Sequence, residues 1–432
     1  MGTQKNTTIS YRAHWTRAQL FLALMVLLST CARPRTNPPY ITTDNAADLQ
    51  QIGDITITPF YASIWPSGTP GIAVIDDDRV HVYDLRTLTE QILPLEGTQT
   101  VTFTPSGDIL AVGTDSGEIT LWDIAGEKQK TLTGHTVGVS SIAISDNRNQ
   151  LATLDLSKKV ILWDLKTSRA DTIIDLSSWP TVHSRLDGIQ ISPDGHTLAI
   201  LAKAESTILK LWDIRAGEPL HTLKLEDSPR GFYDLMFSPD WDKLAWVSGG
   251  TVQMMVVDNG SVGQTLTHED SLNEWVFSPD GTTFVTRTAE TIAGNFTGVV
   301  KIWDADSGIA RHTIAHSDFV SAMSFSPDWQ HVVTAAGFGE IRIWHTGTGQ
   351  ETALLSGHTD TVWALAYSAD GEMIASASET GHVQLWDTHN GNTLANLSGP
   401  NATLIDVSFS RNGDWIAAVS DDGNITLWGI SD

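Results

Sequence analysis

Residues 355–387 read LSGHTDTVWALAYSADGEMIASASETGHVQLWD, and this one stretch states a unit that the rest of the chain repeats. TVWALAYS, EMIASAS and HVQLWD each alternate β-branched, aromatic or aliphatic residues with period two, so each predicts a strand. Ala369-Asp370-Gly371 and Glu379-Thr380-Gly381 supply the turns between them, and TLANLSG follows as a fourth strand. Gly357-His358 stands ahead of the unit and Trp386-Asp387 ends its third strand.

Working outward, the third-strand ending recurs at Tyr83, Trp122, Trp163, Trp212, Val257, Trp303, Trp344, Trp386 and Trp428, at spacings of 39, 41, 49, 45, 46, 41, 42 and 42 residues. The turn after the first strand is an independent marker, running from Pro66-Ser67-Gly68 through Pro193-Asp194-Gly195 to Arg411-Asn412-Gly413, and it gives the same nine units. A four-stranded meander of about forty residues with Gly-His ahead and Trp-Asp behind resembles one blade of a WD-repeat β-propeller. The expectation is an all-β chain forming a single propeller of nine four-stranded antiparallel blades over residues 48–432. Seven or eight closed blades with an extra unit is the alternative.

The last unit stops at its third strand, and residues 48–53 precede the first unit much as 394–399 precede the ninth. They are expected to pair with the last blade and remove its open edge. Seven of the 16 Trp stand at the third-strand position. They read as blade core, each burying roughly 200 Å², or about 5 kcal/mol at most. The resemblance also implies a buried tetrad of His, Ser or Thr, Asp and Trp, and no unit matches it in full. The third offers His135 and Trp163 but Ser157 at the acid's place. The eighth offers His358, Ser378 and Trp386 but Thr380, and the ninth Ser420, Asp422 and Trp428 but Pro400 for the His.

The N-terminus is of another kind. Lys5, Arg12 and Arg17 precede nine unbroken apolar residues, 20–28, and Ser29-Thr30-Cys31 follows at once. Nine residues are too few to span a bilayer. The pattern reads as an export signal over 1–30, and Cys31 resembles the lipidated Cys of bacterial lipoproteins, although Thr30 departs from the usual small residue before it. Cleavage as an ordinary signal and an uncleaved or cytosolic start are the other readings. Residues 31–47 then read as a tether, and the location as the cell envelope outside the cytoplasm, with membrane contact only through Cys31.

Cys31 is the only Cys, so disulfides and Cys-ligated metals are not expected. Net charge is −25, becoming −28 once residues 1–30, with three basic residues and no acids, are removed. Such a body repels phosphate backbones, which argues against nucleic-acid partners.

Chemistry is hard to find. Ser420-Asp421-Asp422-Gly423 falls out of register with the Asp-box of sialidase propellers, and no funnel of acids, Arg or metal ligands stands out over a channel. Asp76-Asp77-Asp78 reads as a solvated turn, and the 14 His show no ligand spacing. Asn295-Phe296-Thr297 matches a glycosylation acceptor, relevant only in a eukaryotic host. The Phe-Ser-Pro-Asp-Gly turns also occur in TolB-type periplasmic propellers, which usually lack the Trp-Asp ending.

No catalytic residue, cofactor or metal site is therefore assigned, and the expected function is a monomeric, non-catalytic scaffold that binds proteins. The alternatives are an extracytoplasmic ligand or carbohydrate sensor and a secreted hydrolase or oxidoreductase. The family's docking register points to Phe60, Tyr233, Phe296, Phe319, Trp363 and Ile405 as an apolar arc. Gln99, Asp115, Ser140, Arg185, Asp187 and Glu205 form a polar one. The opposing possibility is that the rings fold inward to fill a wide channel.

Overall fold

The computed structural model describes residues 41–430 apart from 57–60, 65–70, 77–78, 85–88, 105–108, 124–125, 146–149, 178–185, 204–206, 226–234, 249, 269–271, 293–294 and 411–412. Cys31, Phe60 and Tyr233 lie outside the described residues. So do residues 1–40, which hold the export signal.

Each repeat unit folds as a four-stranded antiparallel meander whose strands pair in chain order, giving nine sheets among the described residues. They cover 61–93, 98–132, 139–175, 186–225, 235–267, 272–315, 320–355 and 362–398, and the ninth is 404–429 closed by the strand Gln50–Thr56. That closing strand runs antiparallel to Asn424–Gly429, with Gln51 opposite Trp428 and Ile55 opposite Ile425. The architecture is the β-propeller, and a short 3-10 turn at Ala46–Asp48 precedes the closing strand.

Successive side chains of a strand point to opposite faces, and the inner strands carry apolar residues on both, as in Val320–Phe325 and Met373–Ser378, so both faces of a sheet are buried against its neighbours. Nine apolar clusters follow one another around the ring, one per junction. Ala73, Val80 and Val82 of the first blade meet Leu110, Val112 and Trp122 of the second. At the far end Ala417, Ile425 and Leu427 of the ninth blade pack with Tyr83 of the first, so all nine blades share one closed ring. Among the described residues no strand is left over as an extra unit.

The packed body also begins earlier than residue 48. Ile41 and Ala46 are fully buried against blades eight and nine, and the Ile41 amide donates to the Gly413 carbonyl at 2.7 Å. The expected tether is therefore partly core. Three apolar residues, Ile41, Ala46 and Leu49, spaced without strand or helix period, leave no pattern for sequence to report.

The turn after the first strand explains its own composition. In Ser326-Pro327-Asp328 the Ser hydroxyl donates to Asp328 Oδ1 at 2.6 Å and accepts from the His331 amide at 2.9 Å, while the Gln330 amide donates to the same carboxylate. Ser192, Ser238, Ser278 and Ser368 each donate likewise to the Asp two residues on. The residue after the Asp sits in the left-handed region, where Gly195, Gly281 and Gly371 are at ease. Blades five and seven put Trp there instead, Trp241 at φ 62° and Trp329 at φ 58°. Each lies flat on the last aromatic ring of the first strand, Trp241 on Phe237 at 3.8 Å and Trp329 on Phe325 at 4.0 Å, and that stacking offsets the backbone strain.

Candidate interaction face

In an antiparallel meander the starts of strands one and three and the ends of strands two and four share one face. Just inside that face the first strand of seven blades carries a β-bulge at the same place, for example between Val362 and Ala364 and between Leu404 and Asp406. The register also shifts between Thr98 and Thr100, Val139 and Ser141, Leu186 and Gly188, Leu272 and Glu274, and Val320 and Ala322. A bulge leaves one residue out of the ladder and re-aims its side chain. Gln99, Ser140, Asp187, Asn273, Ser321, Trp363 and Ile405 hold the bulged position.

Trp363 and Ile405 are half-buried there. Phe319, one residue before its own first strand Val320–Phe325, is half-buried too, and its ring centroid lies 6.0 Å from that of Trp363. The two residues come from neighbouring blades, so the face brings together what lies 44 positions apart in sequence.

Phe296 is placed differently from a face residue. Thr283–Ile292 and Asn295–Asp304 form a hairpin in which Phe296 pairs with Thr291, three pairs beyond Thr288 and Val299. At about 3.3 Å per residue the hairpin carries Phe296 roughly 10 Å above the level of the neighbouring turns. Its base is clamped to the seventh blade, because the Gly298 amide donates to the Asp318 carbonyl at 3.0 Å and the Gly298 carbonyl accepts from His316 at 2.8 Å. A Cβ at Gly298 would come within 2.4 Å of the Val320 nitrogen, so only glycine allows this approach.

Beneath the face lie the buried polar networks, and here the expectation that no tetrad is complete is corrected. His135 Nδ1 meets Asp155 Oδ2 at 2.7 Å, His135 Nε2 meets Thr153 Oγ1 at 2.8 Å, and Trp163 Nε1 donates to the same hydroxyl at 2.8 Å. The hydroxyl and the acid lie two residues before the positions expected from the turn, at Thr153 and Asp155 rather than at Asp155 and Ser157. Period two keeps Thr153 and Asp155 on one side of the second strand, so a shift of two preserves the side and escapes pattern reading.

The same shift applies elsewhere: the hydroxyl lies two residues past the one paired with the Trp. Trp386 donates to Ser376 rather than Ser378, Trp303 to Thr286 and Trp344 to Thr334. In blade eight His358 reaches Ser376 at 2.8 Å, and the nearest acid, Asp360 at 3.7 Å, comes from the loop before the first strand. In blade two Val112 occupies the hydroxyl's place and Trp122 donates to Thr120 instead. In blade four Ile200 occupies it, and Trp212 Nε1 has no hydrogen-bond partner among the described residues. Trp428 has Ala418 there. All the repeat Trp are buried except Trp212 and Trp344, which are half-buried.

Burial holds the His135, His316 and His358 imidazoles below their ordinary pKa, His316 at about 4. Burial alone would push the Asp155 carboxyl up, but bonds from Ser157, the Lys159 amide and His135 outweigh it and keep it low. Two first-strand acids face the opposite situation. Glu274 is pushed up by burial although Arg287 Nε stands 2.9 Å away. Asp406 is pushed up to about 8, with only the Val407 amide donating to Oδ1 and Oδ2 without a partner. These two acids sit at equivalent positions, directly after the bulge, and sequence reading passed over both because a single acid in an apolar strand looks like a solvated one.

Among the described residues no group of three or more His, Cys, Asp or Glu is arranged to hold a metal ion, and no helix is long and apolar enough to cross a membrane.

The family model for the WD domain, G-beta repeat, matches residues 126–164, 349–387 and 391–429, so WD40 repeats are present in this chain. The WD repeat-containing protein SL1-17 of Schistosoma mansoni is 27% identical over 180 residues, 40% of this chain and 56% of that protein. Meiotic fizzy-related protein 1 of Schizosaccharomyces pombe is 29% identical over 167 residues, 38% of this chain and 37% of that one. The chain thus spans little more than half of the first relative and little more than a third of the second. Among solved structures, the C-terminal WD40 domain of Sif2 superimposes with a TM-score of 0.51 at 15% identity, covering 89% of this chain and 99% of that one, a likeness of fold.

Proposed function

We propose that this chain is a non-catalytic platform that binds protein partners through the propeller face built by the first-strand bulges and the second turns. The observation that carries this reading is the Phe319 and Trp363 pair. These rings stand 6.0 Å apart on adjacent blades, each partly open to solvent, on a chain of net charge −25. Aromatic side chains that are half-sunk in a rigid support lose little entropy on binding and supply the large contact areas that dominate interfaces. The WD repeats found in this chain, and the likeness to a WD repeat-containing protein, support the same reading.

A Phe319→Ala, Trp363→Ala double variant tests it. Affinity capture from the envelope of the native host should lose a partner held by the wild type, with melting temperature unchanged. A large drop in melting temperature with the partner retained would assign the two rings to the core and end the proposal.

The N-terminal segment supports export and lipid anchoring at Cys31, which would hold the platform on a membrane in the cell envelope. A Cys31→Ala variant that still sediments with membranes removes that part of the proposal.

A further inference from the structure

Phe338 stands out among the apolar residues of the molecule. Its side chain is 81% exposed, on the Gly337-Phe338-Gly339 turn between the second and third strands of blade seven. The turn is not a loose tip. The Gly337 amide donates to the Phe319 carbonyl at 3.2 Å, and a Cβ at Gly339 would lie 2.5 Å from the His358 carbonyl oxygen, so the turn is wedged between the loops that lead to Phe319 and to Trp363. Behind Phe319 rises the long hairpin of blade six, its base bonded to Asp318. Three aromatic residues and one hairpin wall therefore share a single corner of the face.

The charge around this corner is predominantly negative, and Arg287 of blade six, which donates to the Val320 carbonyl, is paired with Glu274 at 2.9 Å. Residues 302–432 contain 16 Asp and Glu against three Arg and no Lys. Two of those Arg are already held, Arg311 by Asp304 and Arg342 by both Glu340 and Glu351, and the third, Arg411, lies outside the described residues. On the turns equivalent to the one that carries Phe338, blade eight presents the exposed Glu379 and Thr380 and blade nine the exposed Asp421 and Asp422. Asp318 and Asp360 sit half-buried at the feet of Phe319 and Trp363. His316 and His358 below are kept neutral by burial and offset none of this charge.

Resting on the platform reading, we infer that the corner formed by Phe319, Phe338 and Trp363 takes a cationic segment of a partner protein, with an apolar side chain against the rings and Lys or Arg toward Asp318, Glu379 and Asp421. An aromatic anchor ringed by uncompensated acids attracts a segment of that chemistry and repels an acidic one, so the same surface supplies both affinity and discrimination. It also repels anionic lipid headgroups, which separates this docking corner from membrane contact.

A random dodecapeptide phage library selected on the full chain tests the inference. Enriched peptides should combine Lys or Arg with an aromatic or aliphatic residue. The most enriched one, synthesised with a fluorescent label, should lose affinity about tenfold with Phe338→Ser, a change at an exposed position that leaves the melting temperature in place. It should lose about threefold with Asp318→Asn plus Glu379→Gln, and more at low salt than at high. Enrichment of acidic or uncharged peptides, or a dissociation constant that ignores Phe338→Ser, overturns the inference. Phosphatidylcholine vesicles that bind the wild type but not Phe338→Ser, with no peptide enriched, would assign the corner to lipid and overturn it too. If the native partner is lost in the Phe319→Ala, Trp363→Ala variant while selected peptides ignore Phe338, the platform stands and this inference alone fails.

Discussion

His135 Nδ1 lies 2.7 Å from Asp155 Oδ2, with side-chain exposures of 0% and 1%, and the two hold the loop before the third blade to the end of its second strand. Asp155→Ala leaves a buried imidazole without its acceptor and should cost about 3 kcal/mol. Thr153→Val removes the hydroxyl shared by His135 and Trp163 and should cost about 2 kcal/mol. Urea midpoints measure both, and a loss under half a kcal/mol in either would show the network to be ornamental.

Asp406 offers the opposite sign. Its carboxyl is lifted to about 8, so the folded chain keeps a proton at neutral pH that the unfolded chain releases. Stability from this group is full below the unfolded value near 4 and is lost as pH rises toward 8. Asp406→Asn should raise stability at pH 7 by on the order of 2 kcal/mol and leave it nearly unchanged at pH 4. Equal midpoints at pH 7 would place Asp406 in contact with a partner group.

The buried histidines act in the other direction. His316 is held at about 4, and burial lowers His135 and His358 as well, so each takes up its proton less readily in the folded chain than in the unfolded one. Their contribution is complete above about pH 6.5 and falls as pH drops from there toward 4, by about 1 kcal/mol per pH unit for His316. Because Asp406 opposes this slope, the measurement is best made in the Asp406→Asn background. There the urea midpoint should fall between pH 7 and pH 5, and His316→Gln should flatten the fall.

Ring closure rests on the strand Gln50–Thr56. A chain restarted after residue 56 loses that strand and the buried Ile41, Ala46 and Leu49, exposing the edge of Asn424–Gly429. The expected loss is several kcal/mol, with concentration-dependent association through the free edge, read by melting and light scattering. A truncated chain that melts like the full one would mean that the ring does not need the closing strand.

Trp329 combines a left-handed backbone with a ring stacked on Phe325. Trp329→Ala loses the stacking and keeps the strain, whereas Trp329→Gly loses the stacking and relieves it. The Ala variant should therefore be less stable than the Gly variant by about 1 kcal/mol, a ranking opposite to that found in ordinary strands. Thermal denaturation of the pair decides it.

What could be known from the order of residues alone was whatever repeats with a period. Nine units, four strands in each, the turns between them and the Trp that fill the blades all follow from alternation and spacing, because a strand one residue out of step with its neighbours turns its apolar face the wrong way. The strand that closes the ring was visible for the same reason, as a piece missing from one end and present at the other. Tertiary structure alone decided what depends on neighbours across a seam. Only packing shows that Ile41 and Ala46 are core, that Asp155 rather than Ser157 completes the network around His135, and that Asp406 is buried with half its carboxylate unbonded. The same holds for the face. Phe338 was one aromatic among many until the wedge of its turn between the Phe319 and His358 loops set it at the corner with Trp363, since which side chains converge is fixed by the bulges and the blade-to-blade contacts, and neither has a period in sequence.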